Sequence, residues 1–559
     1  DGEASQLLAT ALERQGQDDA AWDHYYKASW SGNCRDAAFL SLARLAMKRG
    51  NCADALEKVD ISLSVNASNN LAMGLKALAL AEVQGEGAAL DYIQRGLQTH
   101  PLSYALHYAR WAISRDEAAR DQLLQVTGRR GANACLLAGW LISMGMHDAA
   151  REMLDLLDSQ ETLPQLWRAA LSDDPATRAR YIAAARRCEA NRVRFPNALD
   201  EVQMLQTLHD DPYACYLQGC FWYSKRRYDD AVKCWQTTLA QEPEFAPAHR
   251  LLGIYAWNKQ HNLALAEQYL QRAVALEPDN PRFLFELDYL NKLTGQPVAK
   301  RLAMLTERER VALKRDDLTA ELLSLWNGSG RYDAAAQVLQ ERQFHPWEGG
   351  EGKVTGQYLL NQQHRALQHI SRGEFREAMA LLQAALHYPH NLGEGRLPGQ
   401  TDNDIWYLLG YCHAQSGAHA DAQRCFARAA QGGSTLDAGR YYNDQPADYL
   451  FWQGMALRQL GDPAAAERHF QGFLAWVQAH RDDLPEADFF AVSLPDLVVL
   501  DTPAGHQHQQ HCLFIEALGY AGLGDLAACK RLLGNLLALN PAHDKAHLIQ
   551  HAQATGIFH

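Results

Sequence analysis

Two glycine-rich strings, HPWEGGEGKV at 345–354 and YPHNLGEGRL at 388–397, hold Trp347, Glu348, Glu351, Glu394 and Arg396 within short reach of one another along the chain. If the strings meet at one edge of the fold, their carboxylates and guanidinium line a polar pocket, and Trp347 is placed to stack on a sugar ring or a partner side chain. The plainer alternative is a tryptophan that fills a core gap and glutamates that cap helix N-termini, where negative charge is favoured. Neither string is a nucleotide loop: Val354 follows Lys353 where a phosphate-binding loop needs Ser or Thr, and no buried strand precedes it. A paired-carboxylate glycosidase needs its two acids at a defined separation in space, which positions along a chain do not supply.

Histidines cluster at His506, His508 and His511, and again at His543, His547 and His551. The second set recurs every four residues and would share one helical face. It encloses no zincin glutamate, and neither set has the spacing of a metal site, so no metal ligand is assigned. No nucleophile elbow occurs, and no catalytic residue or cofactor is assigned. The eleven cysteines include no C-x-x-C pair, which points to reduced thiols used for packing and to a cytoplasmic protein. Six arginines between Thr177 and Phe195, among them Arg178, Arg186, Arg192 and Arg194, read as a solvated helix face or a dock for an acidic group.

The elements that must position these residues announce themselves by self-similarity. A tetratricopeptide unit of about 34 residues pairs two helices through a Leu-Gly and an aromatic on the first, and a small then a bulky residue on the second, with a closing proline. Gly219, Trp222, Ala231, Trp235 and Pro243 fit that pattern, as do Gly253, Ala266, Leu270 and Pro278. Gly410 with Ala422 and Phe426, and Gly454 with Ala466 and Phe470, repeat it. The small residues are expected to face each other where the paired helices come closest, Gly219 against Ala231, with the bulky ones filling the gap to the next pair. Weaker units begin near Gly16, Gly50 and Gly145.

The expected fold is therefore all-α, a right-handed superhelical solenoid of tetratricopeptide-like hairpins, degenerate over 1–160. An irregular helical connector follows at 161–212, then regular units at 213–343. The glycine-rich loops at 344–404 flank a helix pair centred on Gly373 and Ala378, and regular units resume at 405–559 around a long loop at 482–511.

Over 559 residues, 47% are apolar and 21% charged, so the chain can bury ample surface. A net charge of -13 gives no basic face for nucleic acid, and no apolar run is long enough for a membrane helix. Solenoids expose long concave surfaces. Counting along the first helices places Tyr223, Arg250, Trp257, Tyr407, Tyr411, Tyr449, Phe451 and Arg458 there, residue types enriched at binding hot spots.

The two glycine-rich strings, with FAVSLPD at 490–496, RFPNALDEV at 194–202 and LFELDYL at 284–290, resemble a bacterial family that joins an N-terminal β-rich domain of unknown function 5107 to a long tetratricopeptide region. His390 and Glu394 depart from that family's second motif. The resemblance implies that this chain is the helical region, that a galactose-mutarotase-like domain precedes Asp1 in the whole protein, and that the whole is tied to carbohydrate metabolism. Two functions follow as expectations. The first is a scaffold that binds a protein, a peptide or its own N-terminal domain. The second is the helical half of a glycoside hydrolase or epimerase, with carbohydrate as ligand.

Overall fold

The computed structural model describes residues 2–128, 130–188, 193–436, 446–483, 499–502 and 504–558. The motif at 490–496, most of the loop expected at 482–511, and Arg192 lie outside them. Among the described residues the chain is all-helical, without strands, and its helices pair as tetratricopeptide-like hairpins. They group into two compact units, Asp1–Pro243 and Glu244–His559. This division falls inside the block expected at 213–343.

Local chemistry sets each hairpin. Asn51 and Asp211 accept hydrogen bonds from backbone N–H groups of the first turn, and Pro212 opens its helix where no N–H is needed. Between paired helices the chain turns through a left-handed residue such as Gly50 (φ 73°) or Gly461 (φ 89°), a conformation that a side chain would strain.

At the helix contact of three hairpins a bulky ring covers the glycine. A Cβ added to Gly219 would collide with the indole of Trp235, one on Gly454 would lie 2.6 Å from the ring of Phe470, and one on Gly410 2.7 Å from that of Phe426. The bulky second-helix residue thus covers the glycine of its own hairpin, and Trp235 Nε1 donates to Tyr216 O at 3.3 Å. Phe470 also reaches the next pair, where a Cβ added to Gly522 would lie 2.2 Å from its ring. Gly219→Val therefore lowers stability by about 1–3 kcal/mol through overpacking, measurable by hydrogen exchange of the helix Pro212–Ser224.

In the first unit, the helix Leu199–Gln206 packs against the helices Gly131–Ser143 and Thr162–Ala170 and reaches the N-terminal hairpin. Arg14 bonds Asp200 and Gln203, and Gln203 Nε2 donates to Arg14 O at 2.9 Å. Gly139 leaves room for the Asp200 carboxylate.

In the second unit, the helix Asp544–Ala554 lies across the helices Asp316–Gly328 and Lys353–Ser371. Ser324 Oγ and Gln357 Nε2 donate to Asp544 at 2.7 and 2.6 Å, and Lys545 Nζ sits 2.7 Å from Asp448. Beyond this helix, Phe558 packs on Phe451 and Trp452.

Candidate functional site

The two glycine-rich loops do meet. Phe344 N–H donates to Asn391 O at 2.7 Å, and Asn391 Nδ2 ties down Leu339 O and Arg342 O. The helix Lys353–Ser371 starts from Gly352 in a left-handed conformation (φ 73°), and the Glu394 carboxylate accepts from Gly352 N–H at 3.0 Å and from Thr355 Oγ1 at 3.2 Å. Glu394 therefore caps a helix whose first turn lacks any other side-chain acceptor.

Beside this junction opens a cleft of about 670 Å³, lined among others by Glu351, Tyr388, Glu394, Leu397, Gln400, Tyr449 and Lys545. Tyr388 OH donates to Gln400 Oε1 at 3.3 Å, and Lys545 Nζ lies 5.7 Å from the centre of the Tyr449 ring. Under the cleft two carboxylates share this ammonium, Asp448 at 2.7 Å and Asp404 at 3.9 Å. Burial pushes the Asp404 carboxyl up. For Lys545, burial disfavours the charge, but Asp448 and Asp404 outweigh it and raise the ammonium's pKa. The result is a polar, aromatic-walled concavity with carboxylates at its rim.

Of the five residues expected to line a loop pocket, Glu351 and Glu394 line this cleft. Trp347 is half-buried and packs over Gly350. Glu348 is exposed elsewhere on the loop, and Arg396 is held by Asp402 and by the carbonyls of Leu386 and Gln400. Lys545 and Gln400 were not singled out from sequence. Lys545 comes from a helix far along the chain and has no local signal.

The residues expected on an open concave face need correcting. Tyr407 and Phe451 are 0% exposed and Tyr449 is 5% exposed, so they cannot form a free surface. Tyr407 OH donates to Ile557 O at 3.2 Å, and Phe451 packs against Phe558, because the last helix and the residues after it lie over these repeats. Arg250 makes a bidentate pair with Glu286 at 2.6 Å, and Arg458 donates to Gly522 O. Tyr223 is half-buried against Tyr228 and Trp235, and Tyr411 is half-buried at the core's edge. Trp257 Nε1 donates to Asp501 O at 2.9 Å, next to an asparagine, Asn258, that sequence reading passed over.

The histidines do not converge. His508 Nε2 meets His480 O at 2.6 Å, His543 caps Ala546 N, His547 meets Pro541 O at 2.8 Å, and His551 faces His364. Among the described residues no group of three or more His, Cys, Asp or Glu is placed to hold a metal ion. Nor is any helix there long and apolar enough to cross a membrane. In the arginine-rich segment, Arg186 pairs with Asp211 and Glu242, and Arg194 with Glu161.

The chain matches the tetratricopeptide repeat family over residues 40–104, 223–281 and 365–437. Solved structures similar to it include the tetratricopeptide domain of P58(IPK), at 12% identity over 77% of this chain and 99% of that one, with a TM-score of 0.19. Naa15/Naa10 bound to HypK-THB matches at 13% identity over 99% of this chain and 91% of that one, TM-score 0.23. The Cut9-Hcn1 hetero-tetramer of APC/C matches at 13% identity over 98% and 96%, TM-score 0.24. With scores this low, the description of the hairpins rests on their own packing and on the repeat match.

Proposed function

We propose that this chain is a protein-interaction scaffold whose hairpins hold a segment of a protein partner, with the cleft beside the glycine-rich loops as a docking site. The supporting observation is that a first helix within the matched repeats, Ala246–Asn258, already grips main chain from a distant segment through Trp257 and Asn258. Side chains that recognise backbone amides and carbonyls are the means by which a helical repeat binds a polypeptide. The cleft offers the tyrosine walls and charged rim typical of such contacts.

A photo-activated cross-linker at Leu397 on the cleft rim tests this reading, with one at Gln271 on the exposed helix Leu263–Leu276 as control. In cells, Leu397 should give an adduct with a protein of defined mass that Gln271 does not give, and the purified partner should titrate saturably against the full chain. Identical adducts at the two positions, or none at Leu397, would remove the cleft as a docking site.

A further inference from the structure

We infer that the first-helix face of Ala246–Asn258 and Pro281–Leu293 is a clamp for bent polypeptide main chain, selective for an apolar residue followed by an acidic and then a hydroxyl residue. This deepens the scaffold reading and rests on it. The chain itself supplies the occupant, Val499–Leu500–Asp501–Thr502, seated on that face.

Asn258 is 8% exposed and uses both ends of its amide on this segment. Its Nδ2 donates to Val499 O at 2.9 Å, and its Oδ1 accepts from Asp501 N–H at 2.9 Å. Trp257 Nε1 adds a bond to Asp501 O at 2.9 Å. The groups gripped are a carbonyl and an amide two residues apart, brought to the same side by the bend at Val499 and Leu500, so a single side-chain amide reaches both. Backbone reading of this kind is indifferent to side chains and gives affinity to any segment that takes the same bend.

Selectivity comes from what surrounds the gripped backbone. Leu500 is 0% exposed, in the core cluster that contains Ile254, Leu287 and Leu290. A charged residue there would forfeit the apolar burial and lose solvation. The Asp501 carboxylate lies 3.9 Å from Lys259 Nζ, and Thr502 Oγ1 is 3.5 Å from Tyr289 OH. Three successive side chains thus meet an apolar socket, an ammonium and a phenol.

Asn258 is one of five buried asparagines among the described residues, with Asn291, Asn327, Asn361 and Asn403. Asn361 Nδ2 donates to Asn327 Oδ1 at 2.9 Å, so those two satisfy each other within the helices. Asn258 instead faces a separate length of backbone, and its amide bridges the C=O and N–H groups two residues apart across the bend of that segment.

The probe is a fluorescein-labelled peptide, DLVVLDTP, with the sequence of residues 496–503, titrated against the full chain by anisotropy. Leu500→Asp expels the resident segment, so the variant should bind the probe at least about tenfold more tightly than wild type, in which the tethered segment competes at high effective concentration. Adding Asn258→Ala should remove that binding by about tenfold or more. The same peptide with Lys in place of the aspartate of the VLDT sequence should bind more weakly. Because Leu500→Asp could unfold its surroundings, hydrogen exchange on wild type supplies a second reading. Millimolar probe should speed exchange at the amides of 499–502 while Ala246–Asn258 stays protected. Protection at 499–502 that no probe concentration alters, together with no probe binding to the variant, overturns the clamp. The cross-link at Leu397 reports separately on the scaffold reading.

Discussion

Arg301→Met should destabilise the unit that contains it by about 3–5 kcal/mol, because it leaves the buried Asp288 carboxylate without its cation. Arg301 is 1% exposed, and Asp288 and Glu321 crowd its guanidinium. Nε and Nη2 donate to the two Asp288 oxygens at 2.9 and 2.6 Å, and Nη2 also lies 3.1 Å from Glu321. Lys292 closes the group at 2.7 Å from Glu321. Burial alone would raise the Glu321 carboxyl, but Lys292 and Arg301 outweigh it and hold it at about 2. With the arginine gone, Asp288, 0% exposed, keeps no cation in contact and must protonate or draw in water. Removing both members, Arg301→Met with Asp288→Leu, should recover most of the loss, since a buried ion pair replaced by apolar groups of similar size is close to neutral. Native-state hydrogen exchange of the helices Pro281–Leu293 and Asp316–Gly328 in the full chain measures both variants. A double variant as unstable as the single one would show that the ions set the local packing and do more than neutralise each other.

The same residues show what could be read from sequence. LFELDYL stands out because Glu286 and Asp288 interrupt an apolar run, and both prove to be ion partners, of Arg250 and Arg301. RFPNALDEV is similar: Asp200 reaches Arg14, and Glu201 accepts from the backbone of Asn197 and Ala198 at its own helix start. The repeat was legible because the glycine and its bulky cover lie in one hairpin, at a spacing fixed by two short helices and a turn. Exposure was not. Whether Tyr407 or Phe451 faces solvent depends on Ile557 and Phe558, more than a hundred residues away, and helix periodicity carries no information about such a neighbour. The cleft follows the same division: Glu394 could be foreseen as a cap, but Lys545 arrives from the last helix. Asn258 was missed because an asparagine near a helix end ordinarily reads as a stop signal.

The covering helix also makes the second unit acid-sensitive. His364 is 2% exposed, its ring in mutual contact with those of Tyr332 and His551, with its Nδ1 3.0 Å from that of His551. One nitrogen must donate and the other accept, so at least one ring is neutral, and a proton on both rings would set like charges in contact. Burial, reinforced by His551, His547 and Lys545, pushes His364 down to about 3, and burial with His508 and His543 beside it pushes His511 down to about 4. In the unfolded chain both titrate near the ordinary histidine value, about 6.5. The unfolded state therefore binds protons first as pH falls. The stability these neutral rings contribute is fully present above about 6.5, and it drains away until the folded values are reached. At pH 5 each ring has lost about 2 kcal/mol, so the two together cost about 4 kcal/mol relative to neutral pH. Asp404, pushed up by burial, works in the opposite direction and is unchanged by replacing the histidines. Comparing wild type with His364→Phe/His511→Phe thus isolates these two imidazoles. Exchange protection of the helices Lys353–Ser371 and Asp544–Ala554 should fall steeply between pH 7.5 and 5 in wild type and much less in the double variant. Equal losses in the two proteins would place the acid response in other groups, such as His469, His543 and His551, which burial also lowers, and the contact between His364 and His551 would then be ordinary packing.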